Sequence, residues 1–264
     1  MRVSIITVSF NSAKTIKDTI DSVLSQDFPE IEYIVVDGGS TDGTVQIIER
    51  YQEHISHWIS EKDQGMYDAM NKGIAMATGD VIGILNSDDV YINTHVVSDL
   101  MQLMHEKQTQ VVFADLILVD QNDDSKVLRY YNSGHFHPNK FAYGWMPAHP
   151  TIFVRRELYK AVGKFSTTYQ IAADYEMLIR ILATQKASYA YFPKPVVRMR
   201  SGGASTAGLS RNWILNQEIV RACKENGIYS NMVMLLFKLP LKLWGKFVTS
   251  RRHGTGNSTN SHSE

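Results

Sequence analysis

The chain is poor in features that mark several large classes of protein. Its single cysteine, Cys223, excludes an intramolecular disulfide and a zinc site built from four cysteines. Its 27 basic and 27 acidic residues cancel, so no overall field favours nucleic acid as a partner. It has no run of about 18 uncharged apolar residues, which argues against a membrane-spanning helix. It also lacks the usual glycine-rich phosphate loop and the three-glycine dinucleotide fingerprint.

The composition and hydrophobic pattern are those of an α/β domain. With 264 residues, 44% of them hydrophobic, the chain can bury a sizeable core in one or two domains. In the first half, short apolar runs alternate with helical patterns, which predicts a single open, mostly parallel sheet flanked by helices. Strands are predicted over 3–8, 32–36, 57–60 and 81–85, with crossover helices over 13–24, 44–52 and 67–77.

The second half departs from this alternation. After a predicted helix over 94–105 and a strand over 111–119, residues 120–150 are rich in turn formers and aromatics, and we interpret them as an insertion over an active site. Further strands are predicted over 151–154 and 189–192, and helices over 157–162, 173–184, 211–225 and 230–248. We expect one domain over 1–228 with halves 1–119 and 120–228, an amphipathic helix over 229–250 and a disordered tail over 251–264.

Two acidic turns follow predicted strands. Asp37 ends the second strand and opens the glycine-rich segment 37–44, while Asn86, Ser87, Asp88 and Asp89 follow the fourth. If these strands are parallel, both turns lie at the carboxyl edge of the sheet, where open α/β sheets bind ligands. The carboxylate and amide oxygens of 86–89 suit magnesium or manganese, which in turn bind phosphate. A plain turn with a helix cap, and a solvated helix start, remain the alternatives for the two segments.

Several stretches, in this order on successive strands, resemble the inverting glycosyltransferases of family 2, which have the A-type nucleotide-diphospho-sugar transferase fold. They span 4–11, 36–44 and 60–65, and continue at 71–73 and 86–89. The resemblance is strong over 1–89 and looser to about residue 205. It implies a nucleotide-diphosphate sugar as donor and a divalent metal, Mn or Mg, as cofactor.

The resemblance also implies roles for individual residues. Those implied to bind the nucleotide-sugar are Thr7, Ser9, Asn11, Asp37, Asp63, Gly65, Asn71, Asn86 and Ser87. At Asn11, as at Ser12, a helix cap is the alternative to a ligand contact. Asp88 is implied as the main metal ligand, and Asp89 is also assigned to the metal. The chain departs from the family's acid-any-acid pattern because Asn86 stands in the first position.

A general base is expected in the segment 171–176. A sugar hydroxyl must lose its proton as it attacks the anomeric carbon, and a positioned carboxylate can accept it. The resemblance places Asp174 in this role, with a simple helix cap as the alternative. His149 and Glu176 are assigned to the acceptor or donor-sugar side, Glu176 also being the substitute base. Arg198 and Arg200 are interpreted either as diphosphate contacts or, preferably, as solvated strand residues.

The end of the chain is basic. It has no acid between Glu225 and Glu264 but five bases, among which Lys238, Lys242 and Lys246 share one helical face beside an apolar stripe. This pattern is typical of a helix lying on an anionic membrane surface, while packing of the stripe on the domain is the alternative. Because the first residues enter an apolar strand without signal-peptide sections, we expect a cytoplasmic protein, peripheral at the inner face of the cell membrane.

These observations predict a metal-dependent inverting glycosyltransferase of the hexosyltransferase type. It would move a sugar to a hydroxyl of a glycan or lipid-linked saccharide in polysaccharide or cell-envelope biosynthesis, without nucleic acid as a partner. A nucleotidyltransferase would need a basic, glycine-rich loop before Lys14, which the chain lacks. A degenerate, glycan-binding relative would have lost acids, whereas Asp37, Asp88, Asp89 and Asp174 are all present.

Overall fold

The computed structural model describes residues 1–202 and 208–236. Its first half is a series of strand–helix units. The strands are β1 (Val3–Ser9), β2 (Ile31–Asp37), β3 (His57–Ser60) and β4 (Val81–Ile84), and the helices between them are α1 (Ile16–Leu24), α2 (Thr44–Arg50) and α3 (Met66–Met76). β1 is buried along its whole length, because helices cover both faces of the sheet.

The second half adds five strands and five α-helices to the described part of the chain. The strands are β5 (Asp89–Tyr91), β6 (Val111–Asp120), β7 (Asp123–Tyr131), β8 (Phe153–Arg155) and β9 (Tyr189–Arg200). The helices are α4 (Val96–Lys107), α5 (Arg156–Val162), α6 (Ala173–Leu178), α7 (Gly208–Glu225) and α8 (Met232–Leu236), and a π-helical stretch, Ile179–Thr184, continues α6. Short 3-10 helices span Pro138–Tyr143 and His149–Thr151.

All nine strands belong to one sheet. Its order is β3-β2-β1-β4-β8-β6-β9-β5, with β7 paired to β6 outside this path. The pairs β2–β3, β1–β2 and β1–β4 are parallel, and so is β6–β9, whereas β8, β7 and β5 run antiparallel to their neighbours. The expected open sheet with flanking helices is confirmed. The sheet passes through both predicted halves of the chain, since β8 from the second half lies between β4 and β6.

The core lies on both faces of this sheet. Alternate residues of β1 point to opposite faces, so Val3 and Ile5 pack in one apolar cluster and Ile6 and Val8 in the other. The parallel register pairs Ser9 with Asp37, the last residues of β1 and β2. The loops that follow β1, β2 and β4 therefore leave the sheet at the same edge, as expected.

Three strand predictions need correction. The segment 120–150 is not simply a turn-rich insertion: β7 forms an antiparallel hairpin with β6. β5 was not predicted, because three residues are too few to show a period. The strand predicted over 189–192 continues to Arg200, because Pro193 and Pro195 lie where the β6–β9 register shifts and little ladder hydrogen bonding is lost.

The described part of the last predicted helix is α8, which begins at Met232. The rest of that helix and the predicted tail, residues 237–264, lie outside the described residues. Within 1–202 and 208–236, no helix combines the length and apolarity needed to cross a membrane.

Candidate active site

Asp37, at the end of β2, is fully buried and organises the loop that follows it. Its Oδ1 accepts hydrogen bonds from Ser9 Oγ (3.0 Å) and Ser40 Oγ (2.5 Å). Its Oδ2 accepts from the amides of Gly39 (3.1 Å) and Ser40 (2.8 Å) and from Ser60 Oγ (2.7 Å). Burial alone would raise the pKa of Asp37, but these hydrogen bonds hold it below its usual value. Because about four lone-pair sites receive five donors, this carboxylate shapes the loop, and its implied contact with the nucleotide-sugar stays a prediction.

A second set of hydrogen bonds joins the loops after β1, β2 and β4. Asn11 has a left-handed backbone (φ 50°), and its Oδ1 accepts from the Thr41 amide at 2.9 Å. The Asn11 amide donates to Ser40 Oγ at 2.7 Å. Ser12 Oγ lies 2.7 Å from Ser87 Oγ, which ties the first loop to the turn after β4. The implied residues Ser9, Asn11 and Ser87 are thus brought together at one edge.

Asp63 lies beside the Asp37 loop. A Cβ atom on Gly38 would come within 2.5 Å of Asp63 Oδ2, so only a glycine leaves room for this carboxylate. Asp63 Oδ1 accepts from the Gly65 amide at 2.8 Å, and Gly65 (φ 109°) opens α3. Asp63 is partly exposed, unlike Asp37, and offers an acceptor to a ligand at this edge.

The turn after β4 holds buried oxygens without partners. Asp89 is fully buried; its Oδ2 accepts from Asn86 Nδ2 at 3.2 Å, whereas Asp89 Oδ1 and Asn86 Oδ1 have no hydrogen-bond partner in the described structure. Burial, then repulsion from Asp88, raises the pKa of Asp89 well above its usual value. Burial also raises the pKa of Asp88, against a smaller opposing effect of Arg200.

These residues fit a divalent cation. Unpartnered buried carboxylate and amide oxygens are hard donors, and two carboxylates with raised pKa values gain from a nearby positive charge. Within the described ranges, no group of three His, Cys, Asp or Glu side chains forms a metal site, so Asp88 and Asp89 would have to share the cation with Asn86, water or a ligand.

Arg200 extends this edge of the site. It donates to both oxygens of Asp124, at 3.1 and 2.9 Å, and to Asp18 Oδ2 at 2.7 Å. Arg198 Nε and one terminal nitrogen of Arg200 are buried without a partner among the described residues. The interpretation of the two arginines as solvated strand residues is therefore wrong for Arg200, which is ion-paired and close to the 86–89 turn.

Asp174 lies in the first turn of α6 and is half-buried. Its Oδ1 accepts from the Tyr175 amide at 2.8 Å. Burial raises the pKa of Asp174, while the charge of His149 lowers it by less. Burial also lowers the pKa of His149, which Asp174 partly restores. The two implied residues are therefore electrostatic neighbours, and the His149 ring packs edge-on to Phe165 at 6.2 Å between centroids.

Three implied residues have structural partners. Thr7 is fully buried, and its Oγ1 accepts from the Tyr33 hydroxyl at 3.1 Å. Asn71 is a clamp on Phe165, since Nδ2 donates to the carbonyl (2.9 Å) and Oδ1 accepts from the amide (2.8 Å). Glu176 is buried in a two-bond ion pair with Arg180, at 2.8 and 2.7 Å, which occupies the carboxylate of the substitute base.

Two residues near Asp174 were not found from the sequence. Tyr67 of α3 donates to the carbonyl of Ile171, and Glu218 of α7 accepts from the amides of residues 170–172. Neither belongs to a local motif. Their contacts span 104 residues for Tyr67 and up to 48 for Glu218, so no spacing in the sequence signals them.

Comparisons with known proteins agree with this geometry. Residues 4–163 match the family described as glycosyl transferase family 2. A PGL/p-HBAD biosynthesis glycosyltransferase of Mycobacterium bovis is 28% identical over 222 residues, which cover 83% of this chain and 82% of that protein. An uncharacterized glycosyltransferase of Mycobacterium tuberculosis is 33% identical over 180 residues, covering 67% of this chain and 68% of the relative.

Two solved structures show the same fold. S. aureus TarS in complex with UDP-GlcNAc has a TM-score of 0.63 and 21% identity, over 84% of this chain and 66% of that one. A longer TarS structure is covered to only 39% of its length. The mannosyltransferase PcManGT from Pyrobaculum calidifontis, in complex with GDP-Man and Mn2+, has a TM-score of 0.60 and 19% identity, over 94% of this chain and 82% of that one. Because the family match covers more than half of the chain, the protein belongs to glycosyl transferase family 2 and is a glycosyltransferase.

Proposed function

We propose that the protein transfers a sugar from a nucleotide-diphosphate donor to an acceptor hydroxyl, with inversion, and that Asp174 is the general base. The observation that carries this proposal is the contrast within α6. Glu176 is neutralised by Arg180, while Asp174 is half-buried, accepts one amide hydrogen bond and has a raised pKa. The raised pKa makes this carboxylate a stronger proton acceptor than an ordinary aspartate.

The donor would bind at the carboxyl edge of β1, β2 and β4. The Asp37-centred loop is preorganised there, and Asp63 supplies a partly exposed acceptor for the nucleoside. The complexes of TarS with UDP-GlcNAc and of PcManGT with GDP-Man support a nucleotide-sugar as the donor class.

In the reaction, the acceptor oxygen attacks the anomeric carbon as its proton passes to an Asp174 oxygen. The bond between this carbon and the donor's diphosphate oxygen breaks, and the electron pair leaves with the diphosphate. Attack from the side opposite to the leaving group inverts the anomeric centre. Asp88, Asp89 and Asn86 would hold a divalent cation, which when bound neutralises charge on the diphosphate.

We propose a glycan or lipid-linked saccharide as the acceptor, made in cell-envelope biosynthesis at the cytoplasmic membrane surface. The support is twofold. One relative carries the name PGL/p-HBAD biosynthesis glycosyltransferase. In addition, α8 exposes 65% of Val233 and 60% of Leu236 just before the basic segment 237–252.

The test of the base is Asp174→Asn, which keeps the size of the side chain and its amide hydrogen bond but cannot accept the proton. Transfer should fall about 100-fold or more, while donor affinity, measured by calorimetry with UDP-GlcNAc and GDP-Man in the presence of Mn2+, should not change. In the unmodified protein, the rate should decline with falling pH at a value above the ordinary pKa of an aspartate, and Asp174→Asn should abolish that decline.

Asp99→Asn, on α4, is the matched control and should behave as the unmodified protein. Near-normal transfer by a folded Asp174→Asn protein would show that Asp174 is only a helix cap.

A further inference from the structure

We infer that Glu218 is a positioning residue for the general base: its carboxylate fixes the loop 170–172 that presents Asp174. This inference rests on the proposed role of Asp174. Glu218 belongs to α7, 44 residues beyond the base along the chain, and nothing in its local sequence marks it. Its importance follows only from where the fold places it.

One carboxylate receives three consecutive backbone amides. Glu218 Oε1 accepts from Gln170 N at 2.6 Å, and Oε2 accepts from Ile171 N and Ala172 N, both at 2.9 Å. These amides immediately precede α6. Ala172 is the N-cap residue of this helix, and its methyl side chain cannot accept a capping hydrogen bond. Glu218 is 8% exposed, so these hydrogen bonds form away from water. A distant side chain therefore replaces the missing local cap.

This arrangement also bears on the choice between base and cap for Asp174. Glu218 adds a second negative charge at the start of α6, so loss of the Asp174 charge should cost the helix less stability. The Asp174 carboxylate is thereby left for chemistry. Both carboxylates raise the pKa of Tyr67, after the larger effect of burial.

The same loop is held from the opposite side by α3. The Tyr67 hydroxyl donates to the carbonyl of Ile171, whose amide is bound by Glu218. The Tyr67 ring stacks on Phe165 with centroids 6.0 Å apart, and Asn71, one turn further along α3, clamps the Phe165 backbone. Since Gly65, the N-cap residue of α3, donates its amide to Asp63, α3 links the donor edge to the loop that carries Asp174.

The charge of Glu218 is what the loop requires. Arg221, one turn away, is engaged with Glu225 and lies 4.1 Å from the ring centroid of Tyr169, so the Glu218 carboxylate faces the backbone amides. In Glu218→Gln, a side-chain NH2 group would replace one acceptor oxygen. This NH2 group is a donor and would face the N–H donors of residues 170–172, so a hydrogen bond would be lost and the loop would have to move. Shifts of well under 1 Å are enough to impair a positioned catalytic group.

Glu32, near the start of β2, provides a matched control away from the loop 170–172. It is fully buried and accepts from the amides of Thr78 (2.7 Å) and Gly79 (3.2 Å), as well as from the hydroxyls of Ser4 and Thr78. Glu32→Gln therefore makes the same chemical change at a buried carboxylate that holds backbone amides. Both substitutions should lower stability, but only Glu218→Gln should affect the base.

The experiment compares the full-length unmodified protein with Glu218→Gln, Glu218→Asp and Glu32→Gln. Hydrogen exchange should accelerate at the amides 170–172 in Glu218→Gln, but not in Glu32→Gln. The assay follows release of UDP or GDP from UDP-GlcNAc or GDP-Man. In Glu218→Gln, kcat should fall about 10- to 100-fold, while KM for the donor should not change. The acid limb of the pH profile should move to lower pH, because a displaced Asp174 becomes better hydrated. Glu218→Asp, which keeps the charge, should recover part of kcat.

The inference is overturned if Glu218→Gln and Glu32→Gln have equal loop exchange, kcat and pH profile. If Glu218→Gln does not fold, unaltered loop exchange and kcat in a folded Glu218→Asp protein overturn it as well. Failure of the proposed function looks different: Asp174→Asn then keeps the unmodified rate and pH profile, whatever the exchange of the loop shows.

Discussion

Four carboxylates, those of Glu32, Asp37, Asp89 and Asp174, differ in how many hydrogen-bond donors face them. Burial raises the pKa of each, but Ser4, Thr78 and Gly79 outweigh it at Glu32 and hold the pKa of that residue at about 2. Asp37 is held low in the same way by its five donors. Asp89 and Asp174 have fewer donors, and their pKa values are raised. The donors stabilise the first pair as anions, whereas a nearby cation or a bound proton would stabilise the second pair.

Asp88→Asn tests the metal at this scale. The change keeps the shape of the side chain but removes a charge that a hard cation needs. Saturating Mn2+ together with UDP or GDP should stabilise the unmodified protein, by about 2.7 kcal/mol at 100 times the dissociation constant. This metal-dependent stabilisation, measured by thermal unfolding, should be lost in Asp88→Asn.

The exposed Asp123→Asn substitution in the β6–β7 hairpin serves as the control and should retain the full response. An equal Mn2+ response in Asp88→Asn and in the unmodified protein would exclude a metal held by this turn.

At the scale of elements, the sequence predicted what depends on local pattern. β1, β2 and β4 are buried apolar runs that end in polar turns, and their parallel pairing brings the predicted loops to one edge. β7 could not be predicted because most of its residues are exposed and do not alternate. Asn71 illustrates the same limit within the site: its motif suggested a ligand contact, but its partner is the backbone of Phe165, 94 residues away.

Gly38→Ala tests how the loop after β2 and the start of α3 fit together. The new Cβ would lie 2.5 Å from Asp63 Oδ2 and 3.0 Å from Asp63 Cγ, so the carboxylate must swing away. Asp63 is the flexible and partly exposed partner, and stability should change little. Affinity for UDP or GDP, measured by calorimetry, should fall about 10-fold, the value of one hydrogen bond to a charged group.

Asp63→Ala should cause a similar loss, and the double variant should lose no more than either single variant, because both remove the same contact. Additive losses would show that Gly38 acts on the nucleotide independently of Asp63.

At the scale of the whole molecule, the donor edge and the base are parts of one sheet and its covering helices. β8 and β9, which come late in the chain, insert among strands of the predicted half 1–119, since β8 lies between β4 and β6 and β9 between β6 and β5. The two predicted halves therefore cannot separate without breaking the sheet. α3 then connects the halves on one face, through Tyr67 and Asn71. Such contacts fix Asp174, the proposed base, relative to the proposed donor edge without any nearby motif in the sequence, which is why Glu218 and Tyr67 were found only in the structure.

The basic end of the chain carries the prediction with the widest consequence, since it bears on whether the acceptor is lipid-linked. Each base near an anionic membrane is worth about 1 kcal/mol, and salt weakens the attraction. Replacement of Lys238, Lys242 and Lys246 by Glu should therefore abolish binding to phosphatidylserine-containing vesicles in flotation assays, while calorimetric affinity for UDP or GDP stays unchanged.

The control replaces three exposed lysines elsewhere, Lys14, Lys107 and Lys164, with Glu and makes the same change in net charge. If binding depends only on total charge, both triple variants lose it. If the apolar stripe packs on the domain instead, the unmodified protein should not bind vesicles even at low salt. The two triple variants should then not differ from it in vesicle binding. Only loss confined to the first variant supports a membrane-facing helix, because the sequence pattern predicts that these three lysines share one helical face beside the apolar stripe.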